Sequence, residues 1–311
     1  MSTHANGEAA NGEAAGRAAA SPTVAIVALV AVTAVWGATF SMVKDAIARM
    51  PVMDFLAVRF AVATAVMLVL RPRAVVALGR AGWRHGGLLG LALGTGYVTQ
   101  TFGLEHTPAA VSGFITGMFV VFTPLTAGLV LRRRVGGAAW AAVGLATIGL
   151  AMLSLRGVSI GFGELLTLGC AVAFAVHIVG LGEWSQQHDP YALAVVQLGV
   201  VAGMSLAVTV PTGLTLPPDG AAWAAVGLTA IAGTAVAFVV QTWAQSLLSA
   251  TRAAVVMTME PVFAFAYAVL IAGERLGWRE VAGGALVLGA MYLVELGPRR
   301  GSDAEVERLE V

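Results

Sequence analysis

The sequence predicts an all-α integral membrane protein, with ten transmembrane helices arranged as two inverted five-helix repeats. Three observations carry that expectation. Hydrophobic residues fill 58% of the 311 positions and charged residues only 11%, against roughly 25% charged in a soluble domain. Apolar stretches near the length of a membrane-spanning helix recur along almost the whole chain. The second half also repeats features of the first at a nearly constant offset.

A chain this apolar has little with which to cover a water-facing surface, and the bilayer is the solvent that fits. Net charge is +1, so no basic field argues for nucleic acid. The single cysteine, Cys170, excludes an intrachain disulfide and a cysteine-built metal cage. The five histidines, at 4, 85, 106, 177 and 188, show no metal-ligand spacing. Neither a metal nor a cofactor is expected. The expected partners are a small-molecule substrate and the lipid bilayer, with a homodimer left open.

In chain order, residues 1–21 repeat NGEAA and lack bulky apolar side chains, which predicts a disordered tail. The apolar run from Thr23 to about Val43 exceeds the roughly 7–15 residues of a signal-peptide core, so it reads as an uncleaved first span. A helix needs about 20 apolar residues to cross the hydrocarbon. Stretches of about that length fall near 23–43, 53–70, 86–104, 109–131, 137–155, 161–181, 190–211, 221–243, 252–272 and 278–296. The second is the shortest. Between them lie charges and turn formers: RPRAVVALGRAGWRH, LRRRV, HDP, PTGLTLPPDG and GERLGWRE. Residues 297–311 form a polar tail. Gly90 with Gly94, Gly113 with Gly117 and Gly199 with Gly203 are small-xxx-small pairs that favour close helix contacts.

Orientation follows from Lys and Arg. With the amino terminus in the cytoplasm, the inner side holds Arg17, Arg71, Arg73, Arg80, Arg84, Arg132, Arg133, Arg134, Arg299, Arg300 and Arg308, with Arg252 at its edge. The outer side holds Lys44, Arg49, Arg156, Arg275 and Arg279. The positive-inside rule then places both termini in the cytoplasm.

The repeat rests on ordered matches. WGATF at 36–40 precedes FAVHI at 174–178 by 138 residues, and VRF at 58–60 precedes VQL at 196–198 by the same interval. Gln100 anticipates Gln241, and Arg134 of LRRRVG anticipates Arg275 of AGERLG, each by 141. Pro124 and Pro261 stand 137 apart. Five spans per half is an odd number, so the second copy enters the membrane from the opposite side. Inverted repeats of this kind build secondary transporters around a midplane site.

The same residues resemble a known family. WGATFSMVK, HTPAAVSGFITGMFVVFTPL, GELLTLGCAVAFAVHIV, DPYALAVVQ and ATRAAVVMTMEPVFAFAYAVLIAGERL are similar to segments of the EamA-type proteins of the drug/metabolite transporter superfamily. The likeness spans about residues 24–296. It implies ten helices, cytoplasmic termini, the plasma or inner membrane, and secondary transport, usually export, of small metabolites or drugs. The first half departs from the pattern, carrying LRRRV where many members have a GER-like turn.

Polar residues inside spans are costly in hydrocarbon and therefore informative. Glu260 lies about eight residues into the ninth span, and a carboxylate there costs on the order of 2.5–3.5 kcal/mol. Pro261 beside it frees the carbonyl of Met257. The pair is either a ligand and proton site, or a neutral carboxyl bonded to a neighbouring helix at an ordinary kink; Pro124 predicts a second kink. Arg59 either snorkels to an interface or meets a substrate carboxylate or Glu260; its repeat counterpart Gln197 is neutral. Gln100 and Gln241, at opposite faces by the repeat, line paired gates or bond between helices. Tyr97 is polar at the same depth. His177 sits near the inner end of its helix, where interfacial solvation is expected. Trp36 is mid-span rather than at an interface, and either lines a cavity or fills the core. Trp83, Trp140, Trp223, Trp243 and Trp278 are the interfacial belt.

Function follows as an expectation: a secondary transporter working by alternating access, an exporter of amino acids, related metabolites or lipophilic drugs. A path with few charges suits neutral, zwitterionic or apolar cargo. A phosphorylated cargo would want several Arg or Lys, and Arg59 alone lies well inside a span. No Walker A sequence is present, so ATP does not drive the cycle directly. Glu260, His177 and Ser112 lack the spacing of a catalytic set, so no enzyme is expected. A scaffold or sensor without transport is the alternative.

Overall fold

A computed structural model describes residues 22–130, 137–156, 159–248 and 250–296. The expected tails at 1–21 and 297–311 and the LRRRV loop lie outside those residues.

The described residues are helical almost throughout. In order come α1 (Pro22–Ile47), α2 (Val52–Leu70), the short α3 (Pro72–Val76), α4 (Gly79–His106), α5 (Ala109–Gly117), α6 (Phe119–Val130) and α7 (Gly137–Ser154). A two-residue antiparallel ladder, β1 (Leu155–Arg156) with β2 (Ser159–Ile160), follows. Then come α8 (Phe162–Trp184), α9 (Pro190–Thr212), α10 (Gly220–Ala230), α11 (Ala237–Leu247), α12 (Ala250–Met257), α13 (Met259–Leu270) and α14 (Trp278–Leu296). A π-helical turn, Ile231–Val236, joins α10 to α11 into one rod.

Among the described residues, six rods are long and apolar enough to cross a bilayer: α1, α2, α5–α6 together, α8 with its 3₁₀ extension, α9, and α10–α11. The second span, read as the shortest, is one of them. Trp140–Met152 and Met259–Leu270 are apolar but shorter.

Local chemistry sets the boundaries. Asp189 accepts from Ala192 N at 3.0 Å to cap α9, and Asp219 accepts from Ala222 N at 2.8 Å to cap α10. At Gly213 the backbone turns to a φ of 91°, a conformation that suits glycine, and α9 stops. The N-terminus of α5 takes its cap from far along the chain: the Glu274 carboxylate accepts from Ala109 N at 2.9 Å and Ala110 N at 3.2 Å. Free amide donors and the positive helix end both favour that carboxylate.

Expected kinks at Pro124 and Pro261 resolve differently. The helix interruptions fall at Met118 and Thr258, with φ, ψ of −60°, −11° and −62°, −15°. These positions stand 140 residues apart, in step with the repeat, whereas the prolines do not. Pro124 lies inside the uninterrupted α6. At Thr258 the break lies next to the carbonyl that Pro261 cannot bond; at Met118 proline is too far away to be its cause.

Helices at matching places in the two halves run antiparallel. At one end of α2 and α9, Asp54 Oδ2 accepts from Thr215 N at 3.0 Å; at the other, Tyr191 OH donates to Met67 O at 2.7 Å. In α7 and α14, Gly149 approaches Gly283 and Val287 while Leu145 meets Gly289. In α5 and α13, Gly113 meets Ala264 and Gly117 meets Pro261. Pairing also exchanges halves: α1 packs on α11 as α8 packs on α4. Such close backbone approach is how helices associate where lipid offers no hydrophobic drive.

Large apolar side chains, among them Leu129, Phe162 and Ile271, face outward, as a lipid-facing surface requires. Trp83, Trp140, Trp223 and Trp278 are exposed, while Trp243 packs half-buried on the core. Polar contacts gather at the two ends. One end joins Lys44 Nζ to Thr107 O and Arg49 to Asp219 at 3.3 Å. The other joins Arg71 to Asp189 at 3.4 Å and His85 Nδ1 to His188 Nε2 at 2.9 Å.

Candidate functional site

Helices α1, α2, α4, α6, α8, α11, α12 and α13 surround an internal cavity. Seven of the eight residues singled out in the sequence line it: Trp36, Arg59, Tyr97, Gln100, His177, Gln241 and Glu260. The eighth, Gln197, stands behind His177. About 50 Å³ is open to the centres of water-sized molecules, several times the ~10–15 Å³ that one water needs.

The walls are aromatic. Trp36 meets Phe238 with ring centroids 5.5 Å apart, and Tyr97 meets Phe174 at 5.5 Å. Tyr97 also packs edge-on against Phe60 at 4.9 Å and Phe238 at 6.0 Å. Offset and edge contacts of this kind add to the stability from burial alone. Of the two places expected for Trp36, cavity wall or core filling, it takes the first.

Arg59 does not snorkel. Its residue is 2% exposed, and the guanidinium lies 5.0 Å from the Tyr97 ring centre. Nε donates to Thr234 Oγ1 at 2.8 Å and Nη2 to Gly233 O at 3.4 Å. Trp36 Nε1 donates to that same Gly233 carbonyl at 2.9 Å. Two side chains from the first half thus hold the π turn of the second. Helical widening there leaves carbonyls free to accept. Among the described residues, no carboxylate lies within ion-pairing distance of Arg59, so the expected pairing with Glu260 is not formed.

Glu260 is 6% exposed, at the start of α13 just past the Thr258 break. Among the described residues its carboxyl takes part in no hydrogen bond or ion pair, so the alternative of a carboxyl bonded to a neighbouring helix is absent. The cavity thus holds one buried cation and one buried carboxyl, each without a counter-ion among the described residues. Burial of that kind is costly.

His177 corrects an expectation. Its helix position predicts interfacial solvation, yet it is 2% exposed, and its Nε2 lies 2.6 Å from Gln197 Oε1. Gln197 Nε2 is already donating to Leu193 O at 3.1 Å. Gln197 Oε1 is therefore the acceptor, His177 carries its proton on Nε2, and Nδ1 is left as an acceptor.

The glutamines divide. Gln100 Nε2 donates to Thr116 Oγ1 at 3.2 Å, an interhelical bond. Gln241 Nε2 donates along its own helix to Gln245 Oε1 at 3.1 Å, and its Oε1 is buried without a partner. Both still line the cavity.

Two groups escaped the sequence reading. Phe238 is the 141-residue counterpart of Tyr97, and the repeat offset alone would have found it. Gly233 and Thr234 carried no signal, since a π turn has no sequence signature in an Ala- and Gly-rich span.

The two halves each match the model of the EamA-like transporter family, over residues 23–155 and 161–296. The chain belongs to the EamA-like transporter family. An uncharacterized transporter from Archaeoglobus fulgidus is 32% identical over 271 residues, 86% of this chain and 84% of that protein. A solved protein structure superposes with a TM-score of 0.65 at 19% identity, covering 94% of this chain and 100% of the other; that likeness is one of fold. This EamA-like protein is thus a multi-pass membrane transporter with a repeated domain, and its family and relative point to transport rather than catalysis.

Proposed function

We propose that this EamA-like protein is a ten-pass secondary transporter of the plasma or inner membrane, with both termini cytoplasmic. Its two repeats, 22–155 and 161–296, are inverted copies that work by alternating access. The antiparallel pairing of α2 with α9 and of α7 with α14 supports the inversion, and the arginine-rich 71–84 segment supports the orientation.

One observation carries the cargo reading: Arg59 and Glu260 share an aromatic-walled cavity, and among the described residues neither has a counter-ion. Cargo can supply what each lacks. A carboxylate would meet the guanidinium as a charge-assisted hydrogen bond, and an ammonium would meet Glu260. Small zwitterions such as amino acids fit best, and lipophilic compounds could use the aromatic walls alone. Export is the direction that the family resemblance implies. Glu260 serves as the proton carrier, because a carboxyl that has no partner among the described residues can be loaded and unloaded with little rearrangement. The breaks at Met118 and Thr258 supply pivots at matching places in both halves.

The test is transport in proteoliposomes under an imposed pH gradient, with neutral amino acids and lipophilic cations offered separately. Gradient-driven accumulation of either supports the reading. No flux of any cargo, in vesicles holding folded protein, removes it.

A further inference from the structure

A second cavity lies outside the transport path. Arg71, Arg73, Ala74, Leu78, His188 and Asp189 line an open pocket of about 400 Å³ where α2 ends and α9 begins. We propose that it is a binding site for the phosphate headgroup of an anionic glycerophospholipid.

Charge is the first argument. Residues 71–84 contain Arg71, Arg73, Arg80 and Arg84 and no acidic residue. The acid facing them in the pocket is Asp189. It is doubly engaged already, bonded to Arg71 at 3.4 Å and capping α9 through Ala192 N at 3.0 Å. Arg71 is also held over the Tyr191 ring at 4.8 Å. Arg73 makes no ion pair among the described residues and stands at the rim. The pocket therefore carries positive charge in excess, on one fixed arginine and one free one. A phosphate diester offers oxygens to both, and arginine forks suit it.

Place is the second argument, and it selects lipid over free phosphate. Val69, Leu70 and Val76, at 81%, 69% and 85% exposure, flank the arginines. Side chains that apolar, that exposed, in a membrane transporter are covered by acyl chains. Arginines and acyl-covered valines within one short segment place the pocket at headgroup depth, where basic pockets between helices take anionic lipid. The exposed Trp83, a few residues on, fits the same depth.

Packing is the third. The floor is held apart from the arginines by other bonds: His188 is bonded to His85 at 2.9 Å, and His85 stacks on Trp184 at 4.4 Å. The cavity is thus framed by contacts that a ligand need not break. The proposal rests on the protein being in a bilayer, and not on the cargo or on Glu260.

Native mass spectrometry of the full-length protein, titrated with phosphatidylglycerol or phosphatidylcholine, tests it. Phosphatidylglycerol is expected to bind preferentially, and Arg73→Gln to weaken it roughly fivefold, about one cation's share at a membrane surface. Arg71→Gln with Arg73→Gln is expected to abolish the preference, while Arg80→Gln with Arg84→Gln leaves most of it. Each variant's melting temperature in phosphatidylcholine nanodiscs reports whether it folds, and the single Arg73→Gln variant breaks no internal bond. Equal binding of the two lipids overturns the proposal. So does equal loss in both double variants, since that means diffuse attraction with no site. Inorganic phosphate that displaces the lipid at millimolar concentration assigns the pocket to a soluble anion and overturns the lipid assignment. Transport with intact cargo specificity in the Arg73→Gln variant keeps this result separate from the transport reading.

Discussion

Trp36 in the first half packs on Phe238 in the second at 5.5 Å, and the exchange-related residues Phe174 and Tyr97 also meet at 5.5 Å, with a steeper ring angle of 68° against 47°. The cavity is therefore walled by one contact used twice, with the halves swapped. The two copies differ in their polar atoms. Trp36 carries an indole N–H bonded to Gly233 O at 2.9 Å, and Phe174 has no such donor. Trp36→Phe should keep the ring contact and lose that bond, at a cost of about 0.5–1.5 kcal/mol. Trp36→Ala should cost about 3–5 kcal/mol through lost burial and a cavity. Thermal unfolding of the two purified variants separates these. Equal costs would mean that the indole donor, and not the ring, holds the wall.

Arg59 gives a prediction in which stability and transport part. A buried cation without a counter-ion costs free energy, so Arg59→Met should leave the melting temperature unchanged or raise it. Cargo that offers a carboxylate should suffer, losing about 1.5–3 kcal/mol of charge-assisted bonding, or roughly 10- to 150-fold in apparent affinity. The methyl ester of the same amino acid has no carboxylate to lose. Uptake competition with the acid and its ester measures the ratio. If the variant weakens both alike, Arg59 is scaffold and the cargo reading loses its cation.

How much of this was legible beforehand divides along physical lines. The helices, and the repeat that relates them, followed from hydropathy and spacing, because the bilayer forces each span to be apolar and each copy to keep its length. Trp36, Tyr97, Gln100, Gln241 and Glu260 reached one cavity because polar or bulky groups at mid-span have few other places to go. Depth along a helix is readable; azimuth is not. His177 was misread for that reason: its distance from the helix end suggested water, while its bearing faces Gln197. The pairing of Arg59 with a π turn rather than with Glu260 was hidden too, because the turn's free carbonyls come from backbone geometry. Glu274 was grouped with the turn after the ninth span, yet its carboxylate caps α5 across 165 positions, a contact no local pattern encodes.

In the proposed cycle Glu260 carries the coupling. Its carboxyl has neither donor nor cation beside it among the described residues, so protonation would change its charge without breaking an internal bond. Glu260→Gln keeps size and removes that titration. Counterflow of labelled against unlabelled cargo should persist, while accumulation driven by a pH gradient should fall to the passive level. Both are read in the same proteoliposomes. Unchanged pH-driven accumulation in the Gln variant would assign the carboxyl to structure and the coupling elsewhere.

Orientation can be tested with single introduced cysteines, because the one the protein already has stays silent. Cys170 is buried, so it offers little background to a membrane-impermeant maleimide. Helix α4 spans 28 residues, about 42 Å at 1.5 Å per residue, which exceeds the ~30 Å hydrocarbon core. In the proposed topology Arg84, near its start, and the Glu274–Ala109 contact, just past its end, lie on opposite faces of the bilayer. Arg275→Cys, exposed beside Glu274, should label on intact cells. Arg84→Cys should label only after permeabilisation. The repeat sharpens this, since Arg134 and Arg275 occupy matching places: under inversion, Arg134→Cys must follow Arg84→Cys. Labelling of Arg134→Cys and Arg275→Cys from one side would mean an even number of crossings between them, and two halves inserted in parallel could not place Gly149 against Gly283 while running antiparallel.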